Sequence, residues 1–259
     1  MTALDLKALL PEIVALAQRA GTAVMEVYAG NFAVRAKADA SPVTVADERS
    51  EQIILKRLAE LTPDITAASE EACAATDLAK WQAPRHFWLV DPLDGTREFA
   101  SRNGEFSINV ALIADRRPVL GVVHAPAVGL TWWGAGSGTA MMQRAGASPT
   151  AIRVRRAPTS GLVALESRSH GDRAACDAFL AEQKATGRRQ AGSALKFGLL
   201  AQGECDIYPR FGPTMEWDTA AGHAVVEAAG GSVETLSGAP LLYGKPGLRN
   251  PDFVAWGSR

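Results

Sequence analysis

An apolar run, Phe87-Trp-Leu-Val90, ends in two carboxylates three residues apart, Asp91 and Asp94, with Pro92 between them and Gly95 and Thr96 directly after. Pro92 restrains φ and removes one backbone donor. Gly95 can take a positive φ or let the chain approach a ligand closely. Thr96 brings a hydroxyl to a helix or turn start, where backbone N–H groups point outward. Two acids held at one strand end repel each other unless a hard cation sits between them, and Mg²⁺, which takes carboxylate, carbonyl and water oxygens, is the natural occupant. The same spacing also suits a surface pair of turns, Asp-Pro followed by Asp-Gly.

Other acids stand in comparable settings. Asp47 follows Thr44 by three residues in SPVTVAD, Glu70-Glu71 comes after a helical stretch, and Asp218 opens a second helix in EWDTAAG. Each also has a plain structural explanation: Asp47 and Asp218 as carboxylates favoured at a helix start, Glu70-Glu71 as a solvated loop pair.

The elements that must position these residues can be read from periodicity. Residues 4–28 and 46–61 carry apolar stripes near the helical period, the second entered through SPVT. From 86 to 144 short β-rich runs separated by Gly, Pro and Asp predict an antiparallel meander. Beyond 145 strands (163–167, 204–208, 231–235, 252–256) alternate with helices (172–184, 193–202, 218–229), which favours an α/β layer with some parallel pairing. The linker AGASPTA divides an N-terminal α+β region, 1–146, from a C-terminal α/β region, 147–259, that completes the site.

The chain has 259 residues, is 47% hydrophobic and has a formal charge of −1, which excludes disorder, a nucleic-acid coat and a polybasic anchor. A small anionic substrate needs only a few local cations. Three cysteines without a CxxC pair and four scattered histidines argue against a disulfide framework and a zinc hydrolase, and for a reducing compartment. No signal peptide is visible. Residues 118–143 lack Asp, Glu, Lys and Arg, yet their glycines and prolines predict buried sheet and not a membrane span.

Taken together, DPLDGT after an apolar strand, SPVTVAD and SEE upstream and WDTAAG downstream resemble the inositol monophosphatase-like superfamily of metal-dependent, lithium-sensitive phosphatases. KADASPVTVAD (37–47), DPLDGTREF (91–99), RNGEFSINVALI (102–113), SRSH (167–170), the segment 192–214 and WDTAAGHA (217–224) are most similar to its bacterial 3'(2'),5'-bisphosphate nucleotidases of the CysQ type. The resemblance implies a layered αβαβα sandwich of the sugar-phosphatase type, with an antiparallel N-terminal sheet and a mixed C-terminal one. It implies two or three Mg²⁺ ions on Glu70, Asp91, the Leu93 carbonyl, Asp94 and Asp218. It also implies that the Gly95 and Thr96 backbone holds the phosphate, and that Asp47, Glu70 and Thr96 act in catalysis by orienting and deprotonating water. Ser69 departs from the glycine often found before the paired glutamates. A role in sulfur assimilation, a homodimer and a cytoplasmic location, with peripheral attachment to the inner membrane face as an alternative, come from the same source.

The substrate is expected to be a small phosphorylated nucleotide or sugar phosphate, with no nucleic-acid polymer as partner. Inositol monophosphatases place a glutamate shortly before their Trp-Asp motif, whereas here Arg210 stands near that point. A guanidinium suits a second phosphate and gives a polyol no acceptor. Ser193 and Lys196, near the start of the preceding helix, could add a hydroxyl and a charge. The alternative for Arg210 is a surface ion pair. Asp94, Leu93 and Asp218 are expected to border the substrate as well. Lys37, Arg97 and Arg102 read as surface charges, Trp132-Trp133 as core and His223 as a packed histidine.

Overall fold

The computed structural model describes residues 4–36, 42–73, 78, 81–168 and 171–258. Helix α1 (Leu6–Ala29) starts at Asp5, whose carboxylate accepts the N–H groups of Lys7 and Ala8, and buries Leu9, Ile13, Leu16, Ala17, Ala20 and Val24 along one stripe. Helix α2 (Val45–Leu61) is capped reciprocally by Thr44 and Asp47. A two-stranded ribbon, β1 (Arg35–Ala36) with β2 (Pro42–Val43), connects them.

The larger sheet has seven strands in the order β3-β4-β5-β6-β7-β8-β9: Ala67–Ser69, His86–Asp94, Ser107–Ala114, Arg117–Ala125, Leu130–Gly134, Met141–Arg144 and Thr150–Ala151. It is antiparallel except that β3 pairs parallel with β4. A parallel partner needs a long crossover, and the chain between β3 and β4, which opens with α3 (Glu70–Cys73), supplies one. The uncharged stretch 118–143 falls on β6, β7 and β8, and no helix among the described residues is long and apolar enough to cross a membrane. Strand β9 lies past residue 146 and still joins this sheet.

The smaller sheet has the order β11-β10-β12-β14-β13: Ala185–Ala191, Leu162–Ser167, Ile207–Arg210, Phe253–Trp256 and Ser232–Thr235. Its pairing is mixed, parallel around β10 and antiparallel around β14. Helices α5 (Arg173–Glu182), α6 (Leu195–Ala201) and α7 (Glu216–Ala228) complete the fold, with a short α4 (Thr96–Ala100) after β4.

Alternation along the strands sorts the core into layers. Trp88, Val90, Ile108 and Val110 face α1 and α2, while Phe87, Leu89, Ala111 and Ile113 face α6, α7 and the smaller sheet. Ala164, Ile207 and Val254 face Leu180 of α5 on the far side. The result is the αβαβα sandwich. Helix α7 lies so close to the larger sheet that a Cβ on Gly121 would stand 2.3 Å from the Ala221 carbonyl oxygen, which explains the small-residue run AAGHA.

In the larger sheet β3 and β9 fall where the sequence predicts loop and linker, and in the smaller sheet two strands differ from expectation. Strand β11 has the sequence ATGRRQA, without apolar alternation, and was not foreseen. Strand β12 begins at Ile207, three residues after the expected start at 204, and runs on through Pro209 to Arg210, an extension that a proline hides from pattern reading. Trp132 and Trp133 are buried, as expected.

Candidate active site

The site is built around the end of β4. Asp91 pairs with Asn109 and Asp94 with Ser107, so three steps on β4 oppose two on β5. This bulge follows from Pro92, which has no N–H for the ladder. Its consequence is geometric. Asn109 and Ser107 are two apart and share a face, so Asp91 and Asp94 are brought to one face, where a regular strand would have set them on opposite faces. Gly95 then turns the chain with φ 88°, and α4 begins at Thr96.

Each acid is held by its own donor. Asp91 Oδ1 accepts the Leu93 N–H at 3.0 Å. Asp94 Oδ2 accepts the Ser193 hydroxyl at 2.6 Å and the Ala194 N–H at 2.7 Å. Asp218, in the first turn of α7, accepts the Met215 N–H at 2.8 Å. Asp47 Oδ2 accepts the Thr44 N–H and hydroxyl, both at 2.7 Å, while Oδ1 faces the Thr96 hydroxyl at 3.4 Å. Asp47 and Asp218 are thus both helix-start carboxylates, one facing Thr96 and the other lining the cavity described below. The Thr96 hydroxyl also donates to the Leu93 carbonyl at 3.2 Å, and Ser50 of α2 ties down the Pro92 carbonyl at 2.7 Å. Ser69 donates to Glu51 of α2, which also accepts the Ala72 N–H, so the loop carrying Glu70 is anchored by a side chain.

The electrostatics are those of crowded, buried acids. Burial, reinforced by Glu70, Asp94 and Asp218, holds the Asp91 carboxyl well above the usual range. Asp218 is raised well above it by burial, by Asp94 and by Glu70. Asp94 is raised by burial, against the pull of Ser193 and Lys196. Asp47 is pushed up to about 6, chiefly by burial. Among the described residues no three acidic, histidine or cysteine side chains close on one point at ligand distance. The donor set nevertheless fits a hard divalent cation: all-oxygen, multiply anionic and buried, with a surplus of negative charge that a cation would relieve.

Glu70, Asp94, Gly95, Thr96, Ser193, Lys196, Arg210 and Asp218 line one cavity of about 240 Å³, while Asp91 and Leu93 are buried and, like Asp47, stand behind its wall. Arg210 is buried, and its Nη2 donates to the Pro213 carbonyl at 3.2 Å. Lys196 Nζ donates to the carbonyls of Ser193 (2.6 Å) and Ala191 (3.1 Å) and lies 5.3 Å from the centre of the Tyr208 ring. Burial pulls its pKa down to about 8. Ser193, with φ 51°, spends its hydroxyl on Asp94 and Ser107, so it touches the substrate space while steadying an acid.

Sequence reasoning missed Glu98, which is buried and also lines the cavity, and Glu105. Glu105 forms a two-point pair with Arg168 and accepts the Gly192 N–H at 2.8 Å, joining the two sheets beside Ser193. The RNGEFS and SRSH motifs contain both partners, but only their meeting in space singles them out. Arg97 is exposed at the cavity rim. Arg102 caps the end of α1 through the Tyr28 and Gly30 carbonyls, both at 2.6 Å. His223 is buried against Tyr243. The three cysteines are free thiols. Lys37 and His170 lie outside the described residues.

The layered fold and its acid-lined cavity define a phosphatase class, and the chain belongs to the inositol monophosphatase family, whose model matches residues 5–255. This is a family of metal-dependent phosphatases, generally magnesium enzymes. Among its relatives, the 3'(2'),5'-bisphosphate nucleotidase CysQ of Escherichia coli K12 is 44% identical over 251 residues, 95% of this chain and 98% of that one. The crystal structure of CysQ from Bacteroides thetaiotaomicron matches with a TM-score of 0.80 at 33% identity, covering 94% of this chain and 95% of that one. The Thermotoga maritima IMPase matches with a TM-score of 0.76 at 26% identity, covering 95% and 91%.

Proposed function

We propose that this chain is a magnesium-dependent 3'(2'),5'-bisphosphate nucleotidase that hydrolyses the 3'-phosphate of adenosine 3',5'-bisphosphate to give AMP and phosphate, and that of its sulfated form to give adenosine 5'-phosphosulfate and phosphate. The observation that carries the reading is that one cavity is lined both by the carboxylates Glu70, Asp94 and Asp218 and by the buried cations Lys196 and Arg210. A substrate with one phosphate to be cleaved and a second to be recognised matches that combination.

Glu70, Asp91, the Leu93 carbonyl, Asp94 and Asp218 would hold two or three Mg²⁺ ions. Bound there, Mg²⁺ neutralises phosphate charge and makes water acidic enough to supply a nucleophile near neutral pH. The remaining work falls to the chain. The first N–H groups of α4, with that of Gly95, hold phosphate oxygens as the charge on them shifts. The Thr96 hydroxyl orients the attacking water and hands a proton toward Asp47 Oδ1, whose carboxyl, raised to about 6, is matched to that task near neutral pH. Arg210, with Lys196 beside it, holds the 5'-phosphate. No covalent enzyme intermediate is needed. A homodimer is carried over from the family resemblance.

The test is phosphate release from adenosine 3',5'-bisphosphate, inositol 1-phosphate and fructose 1,6-bisphosphate, with and without Mg²⁺ and Li⁺. The expected result is Mg²⁺-dependent, Li⁺-inhibited turnover that is fastest on the bisphosphate nucleotide. A preference for inositol 1-phosphate or the sugar bisphosphate moves the assignment to a broader sugar phosphatase. No release from any of them replaces it with a non-catalytic metal- or nucleotide-binding module.

A further inference from the structure

Two residues before Asp218, α7 begins with a carboxylate for which the chemistry above has no use. Glu216 is fully buried, and it does not line the active-site cavity. Its oxygens accept the N–H groups of Gly244 at 2.6 Å and Lys245 at 2.9 Å, and Lys245 Nζ lies 2.7 Å from Oε1. The same segment grips the turn again five residues later. Asn250 Nδ2 donates to the Met215 carbonyl at 2.8 Å and to the Thr214 and Thr219 hydroxyls at 3.2 and 3.0 Å, and the Asn250 N–H donates to the Thr214 carbonyl at 2.9 Å. Lys245 Nζ reaches Asn250 Oδ1 at 3.3 Å, closing the clasp. Tyr243, just upstream, is fastened to the larger sheet's side of the molecule through the Arg116 carbonyl and to Thr219 through its hydroxyl.

Two physical arguments give this arrangement a purpose. An ion pair with a fully buried acid and a partly exposed lysine is a poor source of net stability, because desolvating Glu216 offsets much of the attraction; what it supplies is orientation. Helix α7 also has no side-chain cap at Met215, and its first turn carries Asp218 into the field of Asp94 and Glu70. Like charges push that turn away from β4, and a hold from outside the helix opposes the push.

We propose that Glu216, Lys245 and Asn250 are positioning residues that lock the first turn of α7 so that Asp218 stands ready beside Asp91 and Asp94 for a divalent cation. The proposal rests on Asp218 as a metal ligand in the reading above. It concerns the affinity of the protein for metal, and it leaves the affinity for the organic part of the substrate untouched.

The experiment measures Mn²⁺ binding to the whole protein, without substrate, by the electron paramagnetic resonance signal of free Mn²⁺, together with the melting temperature. The Mg²⁺ dependence of kcat and KM is measured in parallel. Lys245→Met and Asn250→Ala are the main variants, since both leave Glu216 its two backbone donors. Asp218→Asn is the reference, and Arg57→Met, which breaks a pair with Glu12 far from the site, controls for a general loss of stability. Each strap variant should weaken Mn²⁺ binding about 10-fold, the lower end of what partners of a metal ligand contribute. The half-activating Mg²⁺ concentration should rise in step, with KM at saturating Mg²⁺ unchanged and Arg57→Met without effect on Mn²⁺. Unchanged Mn²⁺ affinity in both strap variants, while Asp218→Asn loses it, overturns the strap and leaves the metal site standing. Unchanged affinity in Asp218→Asn removes the metal reading itself, and the strap with it.

Discussion

The hydroxyl of Thr96 lies 3.4 Å from Oδ1 of Asp47, a residue 49 positions earlier in the chain, while the other oxygen of the same carboxylate caps α2 through Thr44. One side chain therefore caps α2 and faces the start of α4. Capping fixes the carboxylate, and the fixed carboxylate aims its second oxygen at the start of α4. If the two residues form one proton path, Thr96→Val and Asp47→Asn should each lower kcat by about 100-fold, in the range of a positioned proton-transfer group. The double variant should be little slower than either single one. Independent, multiplying losses in a steady-state double-mutant cycle would separate them. Asp47→Asn should also cost about 1 kcal/mol of stability through its weakened cap, so kcat must be normalised to folded protein.

Asp94→Asn removes a charge while keeping the shape that meets Ser193 and Ala194. Activity should fall by at least about 100-fold, because several kcal/mol of transition-state stabilisation depend on the metal site. The metal-free variant should melt at or above the temperature of the unsubstituted protein, since it relieves repulsion among buried acids. Near-normal turnover at ordinary Mg²⁺ would take Asp94 out of the mechanism.

The same repulsion predicts a pH-dependent response to metal. Asp91, Asp94 and Asp218 have folded-state pKa values above their unfolded ones, so without a cation the folded state holds more protons and loses stability as pH rises from the ordinary carboxylate range upward. Adding Mg²⁺ cancels that loss. The rise in melting temperature on adding Mg²⁺ should therefore grow between pH 5 and pH 8, and calorimetric melts with EDTA or Mg²⁺ will read it. An increment that shrinks with pH contradicts the cluster as a cation site.

Arg210→Ala should weaken adenosine 3',5'-bisphosphate by about 2–3 kcal/mol, the range of a lost charged hydrogen-bond pair, and hardly alter a substrate with a single phosphate. Steady-state kinetics on both substrates decide it. An equal loss on the two would make Arg210 a structural residue of the cavity wall.

Far from the cavity, His124 is buried between α1 and β7, with Nδ1 2.9 Å from the Thr131 hydroxyl, and burial pulls its pKa down to about 4. A base with a lowered folded-state pKa is neutral in both states above pH 6.5, and its contribution is constant there. Below 6.5 the unfolded chain takes up the proton first, so stability drains away until pH 4, by about 3 kcal/mol at the end of that window. His124→Gln should flatten this part of the profile in urea titrations run from pH 7.5 to pH 4. An unchanged difference between the two proteins across that range would show that His124 does not contribute to it.

Much of this molecule was legible from residue types alone, and for a physical reason. α1, α2 and the β4–β8 meander carry strong local signals: apolar stripes at the helical period, Asp and Thr caps, alternation broken by Gly and Pro. The acids Asp47, Glu70, Asp91, Asp94 and Asp218 sit in short motifs that resemble those of the family; type and spacing alone left each of them a plain structural explanation. What stayed hidden had no local signature. Strand β11 is polar because it is an edge, and β12 is masked by Pro209. The meeting of Glu105 with Arg168, and of Glu216 with Lys245 and Asn250, joins segments that only the stacking of two sheets and α7 brings within reach. The bulge at Pro92 lies between these cases. Proline announces a broken ladder, but only the pairing with Asn109 and Ser107 decides that Asp91 and Asp94 end on the same face. Local sequence sets which backbone conformations and side-chain chemistries are available; which side chains then meet is a long-range packing outcome, and it was the tertiary structure that put Glu70, Asp94 and Asp218 into one cavity with Lys196 and Arg210.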